Sequence, residues 1–157
     1  MFVAARLPDG RIVCAGGRYE TTTRAEFLGP PVQGAMDAAW TLRELPAMSV
    51  GRYDCKGCVL SDGRFAVLGG MCIYIGSVTS SREAFSLSAD EHWMPLPLMH
   101  DARAYFACAA VAKCSIVAGG LRRTSTEVYD EVLGRWLRLP CNLPHYGGYC
   151  VMGSALM

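Results

Sequence analysis

The 157-residue sequence lacks any long run of charge of one sign. Lys and Arg together number 15 and Asp and Glu 14, for a formal net charge of +1. A balance so even and so interspersed leaves no electrostatic footprint for nucleic acid or an anionic membrane surface, and neither is expected as a partner. Long hydrophobic runs are missing too: no apolar stretch approaches the ~20 residues of a spanning helix. The N-terminal MFVAARLPDG carries Arg6 and Asp9 too early for the apolar core of a signal peptide. The expected compartment is the cytoplasm, with the nucleus as the alternative. Helical periodicity is absent as well, since no segment sustains it for three turns, and an all-β fold is predicted.

Histidine is scarce, with three residues (His92, His100, His145) scattered along the chain. That scarcity bears on the eight cysteines, because a structural zinc site needs a second Cys or His pair beside the one C-x-x-C, Cys55-Lys56-Gly57-Cys58. On a strand, the odd separation of Cys55 and Cys58 points them to opposite faces. Most other cysteines, such as Cys14, Cys108 and Cys150, sit inside apolar runs, where a free thiol behaves as a small buried hydrophobe. Reduced thiols are expected, with no metal, no cofactor and no disulfide. Apolar residues make up 52% of the chain and charged ones only 18%, a composition that excludes disorder and suffices for a core.

What the chain has in abundance is a repeat. DGRIVCAGG (9–17) and DGRFAVLGG (62–70) return more loosely as AKCSIVAGG (112–120). These are not phosphate-cradling loops, which need a helix N-terminus and a spacing such as G-x-x-x-x-G-K-[ST]. The glycine pairs Gly16-Gly17, Gly69-Gly70 and Gly119-Gly120 stand 53 and 50 residues apart. Each is followed by a Glu (Glu26, Glu83, Glu127), a Trp (Trp40, Trp93, Trp136) and Leu-Pro (Leu45-Pro46, Leu96-Pro97, Leu139-Pro140). The first two units continue with identical spacing to Met48 and Arg52, and to Met99 and Arg103. A period of about fifty residues marks a repeat architecture.

Each unit reads as short strands. Residues 2–7, 57–60 and 105–112 precede turns, and Asp9-Gly10 and Asp62-Gly63 are hairpin signals. The run 64–68 is apolar on both faces, as a central buried strand requires. The Gly-Gly pair ends that strand, a third strand carries the Glu, and a fourth holds the Trp.

Four antiparallel strands per unit, with Gly-Gly and Trp at set places, resemble the kelch repeat, one blade of a β-propeller. The resemblance implies blade one over about 1–48, blade two over about 52–99, blade three over about 103–142, and the first strand of a fourth blade over about 146–157. Three blades do not close a ring, and Met1 aligns with Asp54, so a piece of a longer propeller or a chain that covers its flanks by association is expected. The resemblance gives Gly16, Gly17, Glu26, Trp40, Arg52, Gly69, Gly70, Glu83, Trp93, Arg103, Gly119, Gly120, Glu127, Tyr129 and Trp136 to blade packing. Glu127-Val128-Tyr129-Asp130 matches the family pattern fully, Glu83-Ala84-Phe85-Ser86 lacks the Asp, and Glu26-Phe27-Leu28 shifts the aromatic by one. Trp93, with a blade on either side, is the tryptophan expected to matter most.

The same resemblance implies a protein-binding scaffold, for a protein or peptide partner, of the kind that presents substrates to a ubiquitin ligase. Alternatives are a galactose oxidase-like fragment, which would need a copper site of Tyr and His, or a purely structural propeller piece. The scattered histidines disfavour the former, and no enzyme activity is expected. A binding face would lie just after the glycine pairs (Arg18, Met71, Leu121) and just after the repeated arginine (Tyr53, Asp54, Tyr105). Tyr74, Arg122, Arg123, His145 and Tyr146 extend it. Tyr and Arg are the residue types that make hot spots.

Overall fold

A computed structural model describes residues 2–18, 23–30, 39–72, 74, 76–87 and 90–144. Among them there are strands and turns and no helix, so none is long and apolar enough to cross a membrane. The first four-stranded antiparallel sheet runs β1 (Val3–Arg6), β2 (Ile12–Ala15), β3 (Ala25–Gly29), β4 (Thr41–Leu45). The second contains β5 (Lys56–Val59), β6 (Phe65–Leu68), β9 (Arg82–Phe85) and β10 (Trp93–Leu96), interrupted in sequence by a small pair, β7 (Met71–Cys72) and β8 (Ser77–Val78). The third is β11 (Ala107–Val111), β12 (Cys114–Ala118), β13 (Ser125–Asp130), β14 (Arg135–Asn142). We call these sheets one, two and three. The pair β7–β8 forms a short ladder, bridged to Tyr53 through Met71.

Burial follows the order of the sheets. Strand β5 lies against β1 on one side and β11 on the other. One apolar core joins sheets one and two through Val13, Phe27, Phe65, Val67 and Phe85. The other joins sheets two and three through Ala66, Leu68, Ala84, Val117, Tyr129 and Trp136. Sheet two is thus covered on both faces, and every residue of β6 and β9 is buried. In sheet one, by contrast, β1 alternates buried and exposed. The Phe-Ala-Val-Leu run of β6 is apolar on both faces because both meet a neighbour.

Strand register puts the three glutamates in one structural position. Glu26 faces Cys14, Glu83 faces Val67 and Glu127 faces Val117, each partner lying two residues before its glycine pair. Sheet one then departs: Leu28 holds the place of Phe85 and Tyr129. Its aromatic, Phe27, turns instead into the shared core, 5.7 Å from Phe85 in an edge-on contact. The shift by one residue thus puts the ring into the core shared with sheet two. Cys55 and Cys58 pack in the two different cores, on opposite sides of sheet two.

The glycine pairs are places of close approach. Gly16 adopts φ 75°, and a Cβ there would stand 2.7 Å from the Arg52 carbonyl oxygen. Gly70 adopts φ 99°, and its Cβ would meet Cys55 Cβ at 2.8 Å. Both conformation and space reserve these positions for glycine.

Candidate binding face

Two linkers carry the chain from one sheet to the next, 46–55 and 97–106, and each is locked by its arginine. Arg52 is fully buried and donates to the Gly69 carbonyl (3.0 Å), the Ser81 carbonyl (3.0 Å) and Glu83 (2.7 Å). Arg103 repeats the pattern on the Gly119 carbonyl (2.6 Å), the Ser125 carbonyl (2.8 Å) and Glu127 (2.7 Å). Each glutamate also accepts linker backbone N–H groups, from Ser49 (3.0 Å) and Val50 (3.3 Å) to Glu83, and from His100 (2.7 Å) and Asp101 (3.1 Å) to Glu127. Buried charges persist only when paired and hydrogen-bonded in this way. The indole N–H of Trp93 donates to the Pro46 carbonyl and that of Trp136 to the Pro97 carbonyl, pinning the start of each linker. Trp40 makes no such bond among the described residues and stands 52% exposed.

Immediately past each locked arginine the backbone turns left-handed. Asp54 adopts φ 52° and Tyr105 φ 57°, two residues after Arg52 and Arg103. A non-glycine residue in that region is uncommon, and for a bulky one it marks a local constraint. The two residues also meet. Tyr105 N donates to the Asp54 carbonyl at 3.3 Å, and the Tyr105 hydroxyl bonds the Asp54 carboxylate, which with burial pushes the phenol pKa up to about 12. Arg18 lies over the Tyr53 ring at 5.5 Å, and Tyr53 exchanges backbone hydrogen bonds with Met71 (3.1 and 2.8 Å). Five residues named from sequence, Arg18, Tyr53, Asp54, Met71 and Tyr105, therefore form one connected group.

The remaining candidates spread outward. Leu121 N donates to the Ala104 carbonyl at 2.8 Å, which ties the turn after Gly120 to the second linker. Arg122 is exposed at φ 55°. Arg123 points towards Asp101 at 3.8 Å. Tyr74 is 81% exposed, and among the described residues no contact joins it to the group. His145 and Tyr146 lie outside the described residues, as does the strand expected at 146–157.

Two features escape sequence reading. Asp101 is a hub for Arg103 (3.4 Å), Arg138 (3.2 Å) and Arg123, and it accepts the Ser125 hydroxyl at 2.6 Å. The Ser125 bond and the surrounding guanidinium groups hold its carboxyl below the ordinary carboxylate range. Its position two before Arg103 corresponds to Val50 in the earlier linker, so the repeat gives no signal for it. The second feature is Arg82, 1% exposed between sheets two and three. Among the described residues none of its guanidinium nitrogens has a hydrogen-bond partner; the group stacks over Tyr129 at 3.9 Å and Trp136 at 5.4 Å. Near it, Cys58 Sγ lies 3.6 Å from Ser115 Oγ. A hydrogen bond from Cys108 pulls the Cys58 thiol pKa down, helped by the Arg82 charge, and pushes Cys108 up. Among the described residues no three His, Cys, Asp or Glu side chains converge as a metal site.

Sheets of four antiparallel strands, linked in series and buried face to face, define an all-β, propeller-like architecture. No protein-family model and no curated protein matches the sequence. A solved structure described as "Structure of YjhT" is similar to it, with a TM-score of 0.74 at 15% sequence identity over 94% of this chain and 53% of that one. At that identity the likeness speaks to fold alone. The chain spans about half the length of that structure.

Proposed function

We propose that the chain is a three-bladed portion of a kelch-type β-propeller and serves as a protein-binding scaffold with no catalytic role of its own. The observation that carries this reading is the pair of left-handed residues, Asp54 and Tyr105, hydrogen-bonded to each other beside Arg18 and Tyr53. Strain of this kind is retained where the surroundings enforce it, and it clusters at functional sites. Here it holds Tyr and Arg side chains in fixed positions above a buried lock, and rigid aromatic anchors bind a partner with little loss of side-chain freedom. A role in presenting substrates to a ubiquitin ligase fits such a platform.

The test is quantitative capture of partner proteins by the wild-type chain and by an Arg18→Glu/Tyr53→Ala double variant. Proteins retained by the former and lost by the latter, at an unchanged melting temperature, support the reading. An identical captured set for both sinks it.

A further inference from the structure

The facing surfaces of sheets two and three bring together two cysteines from distant parts of the chain. In sheet two Cys58 pairs across the ladder with Ala66, and in sheet three Cys108 pairs with Val117. All four side chains belong to the one core between these sheets, where β5 lies against β11. The two thiols are free, 2% and 4% exposed, and hydrogen-bonded to each other. Ser115 stands on the same face of sheet three as Cys108, with its Oγ 3.6 Å from Cys58 Sγ. Cys55, only three residues before Cys58, packs in the other core and takes no part.

A thiol pair in an apolar core is by itself inert. Arg82 changes its chemistry. Its register partner Leu68 lies on the face of sheet two that carries Ala66 and Cys58. Its guanidinium is 1% exposed and has no hydrogen-bond partner among the described residues. Burial disfavours the Arg82 charge, and Cys58 is the group that most opposes that effect. A buried cation without a carboxylate favours an anion beside it, and the thiolate is the reactive form of cysteine. The hydrogen bonds from Cys108 and Ser115, together with the Arg82 charge, favour that anion on Cys58 and leave the proton on Cys108.

We propose that Cys58 and Cys108 are a peroxide-sensitive pair that closes to a disulfide and clamps β5 to β11. The Cys58 sulfur attacks one oxygen of hydrogen peroxide and the O–O bond breaks. Sulfur is oxidised by two electrons to the sulfenic acid, and the departing hydroxide takes the Cys58 proton as water. The Cys108 sulfur then attacks the sulfenic sulfur. The S–S bond forms, the S–O bond breaks, and the hydroxyl leaves with the Cys108 proton as a second water. Burial selects the oxidant, because peroxide enters on a small local opening, whereas exchange with a disulfide needs a bulky reagent aligned on the attacking sulfur. The reduced thiols expected from sequence are the resting form, and a dithiol reductant restores them.

The test treats the reduced full chain with hydrogen peroxide, blocks remaining thiols by alkylation, and maps tryptic peptides without reduction. Residues 57–64 and 104–113 carry one cysteine each, and a linked pair of these two peptides is the expected product. Glutathione disulfide at the same concentration is expected to give none in the same time. Cys108→Ser should leave a Cys58 sulfenic acid that dimedone captures. Arg82→Met should slow linkage about tenfold, the effect of one adjacent charge on the thiolate fraction. The linked chain should melt several degrees above the reduced one, since the bond closes a loop of about fifty residues in the unfolded state. If peroxide consumes exposed Cys141 and leaves 57–64 and 104–113 unlinked, the proposal is wrong. Linkage as fast in Arg82→Met as in wild type overturns it, and so does a linked form that melts below the reduced one. The wild-type peptide map needs no substitution, so it decides even where a variant fails to fold.

Discussion

Sheets one and three share a repeat and differ in what covers them. Glu127 is fully buried, with Arg103 and two linker N–H groups on its carboxylate, whereas Glu26 sits partly in solvent beside an exposed arginine. Trp136 is 5% exposed and hydrogen-bonded to the preceding linker, whereas Trp40 is 52% exposed. The residue types are the same, so the marks of the repeat do not themselves make a packed interface. A preceding linker does, by bringing an arginine and unpaired backbone donors to a carboxylate that has otherwise no reason to be buried.

The comparison is broken most directly at the locks. Arg103→Ala leaves Glu127 buried with an unbalanced charge, and the loss of unfolding free energy is expected to be ~3–5 kcal/mol. Glu26→Ala, at the same register position, is expected to change it by less than about 0.5 kcal/mol, as for a surface site. Urea denaturation of the two variants measures both. Equal losses would mean that sheet one is covered in solution. The tryptophans give a second reading of the same contrast. Trp136→Ala is expected to lose ~3–5 kcal/mol, Trp93→Ala somewhat less because it is only partly buried, and Trp40→Ala little. That ordering replaces the expectation from sequence that the central Trp93 matters most.

Arg82 sharpens the comparison from the other side, as a charge between sheets without a carboxylate partner among the described residues. A buried guanidinium balanced only by aromatic faces and a nearby thiol is replaceable, since apolar side chains of similar volume often match or exceed such a group in stability. Arg82→Met is therefore expected to leave the thermal midpoint unchanged or raise it, the reverse of Arg52→Met. A loss as large as that of Arg52→Met would show that Arg82 has an ionic partner, with Cys58 the nearest candidate.

The architecture was legible because it is written in spacing. Gly-Gly, Glu, Trp and Leu-Pro recur in order, and where a linker packs on the sheet they have a steric or hydrogen-bonding reason to do so. The lock was half legible: Arg52 and Arg103 were marked by identical spacing, but their carbonyl partners belong to the backbone and leave no trace in residue identity. Asp101 and Arg82 were not legible at all. Each is a single departure from the repeat, Asp101 against Val50 and Arg82 against Ala25 or Thr126, and a departure has no period to reveal it. The residues proposed for a binding face were placed by position within the unit, and five of them meet in the structure, yet Tyr74 shows the limit, since a loop residue near the right place is not thereby joined to the group.

Asp101 supplies the smallest and most specific test. Its carboxyl is held below its ordinary value by the Ser125 hydroxyl and by Arg138, Arg103 and Arg123. A carboxyl with a folded pKa below its unfolded one adds stability at neutral pH. That contribution is complete above the unfolded value, about 3.9, and disappears as pH falls through the lower folded value. Other carboxylates titrate in the same window, among them Glu91 on Arg43, so the informative quantity is a difference. Wild type should be more stable than Asp101→Asn at pH 7. The gap should narrow as pH is lowered through that window, because a protonated Asp101 and the amide that replaces it are both uncharged. Salt should narrow the gap at pH 7 as well, since Arg123 and Arg138 are about half exposed and their attraction is screened. The linker before sheet two, with Val50 at this position, has no such group, so Val50→Asn should give no gap that depends on pH. Parallel pH curves for wild type and Asp101→Asn would show that the Asp101 hub forms no net ionic lock on the second linker.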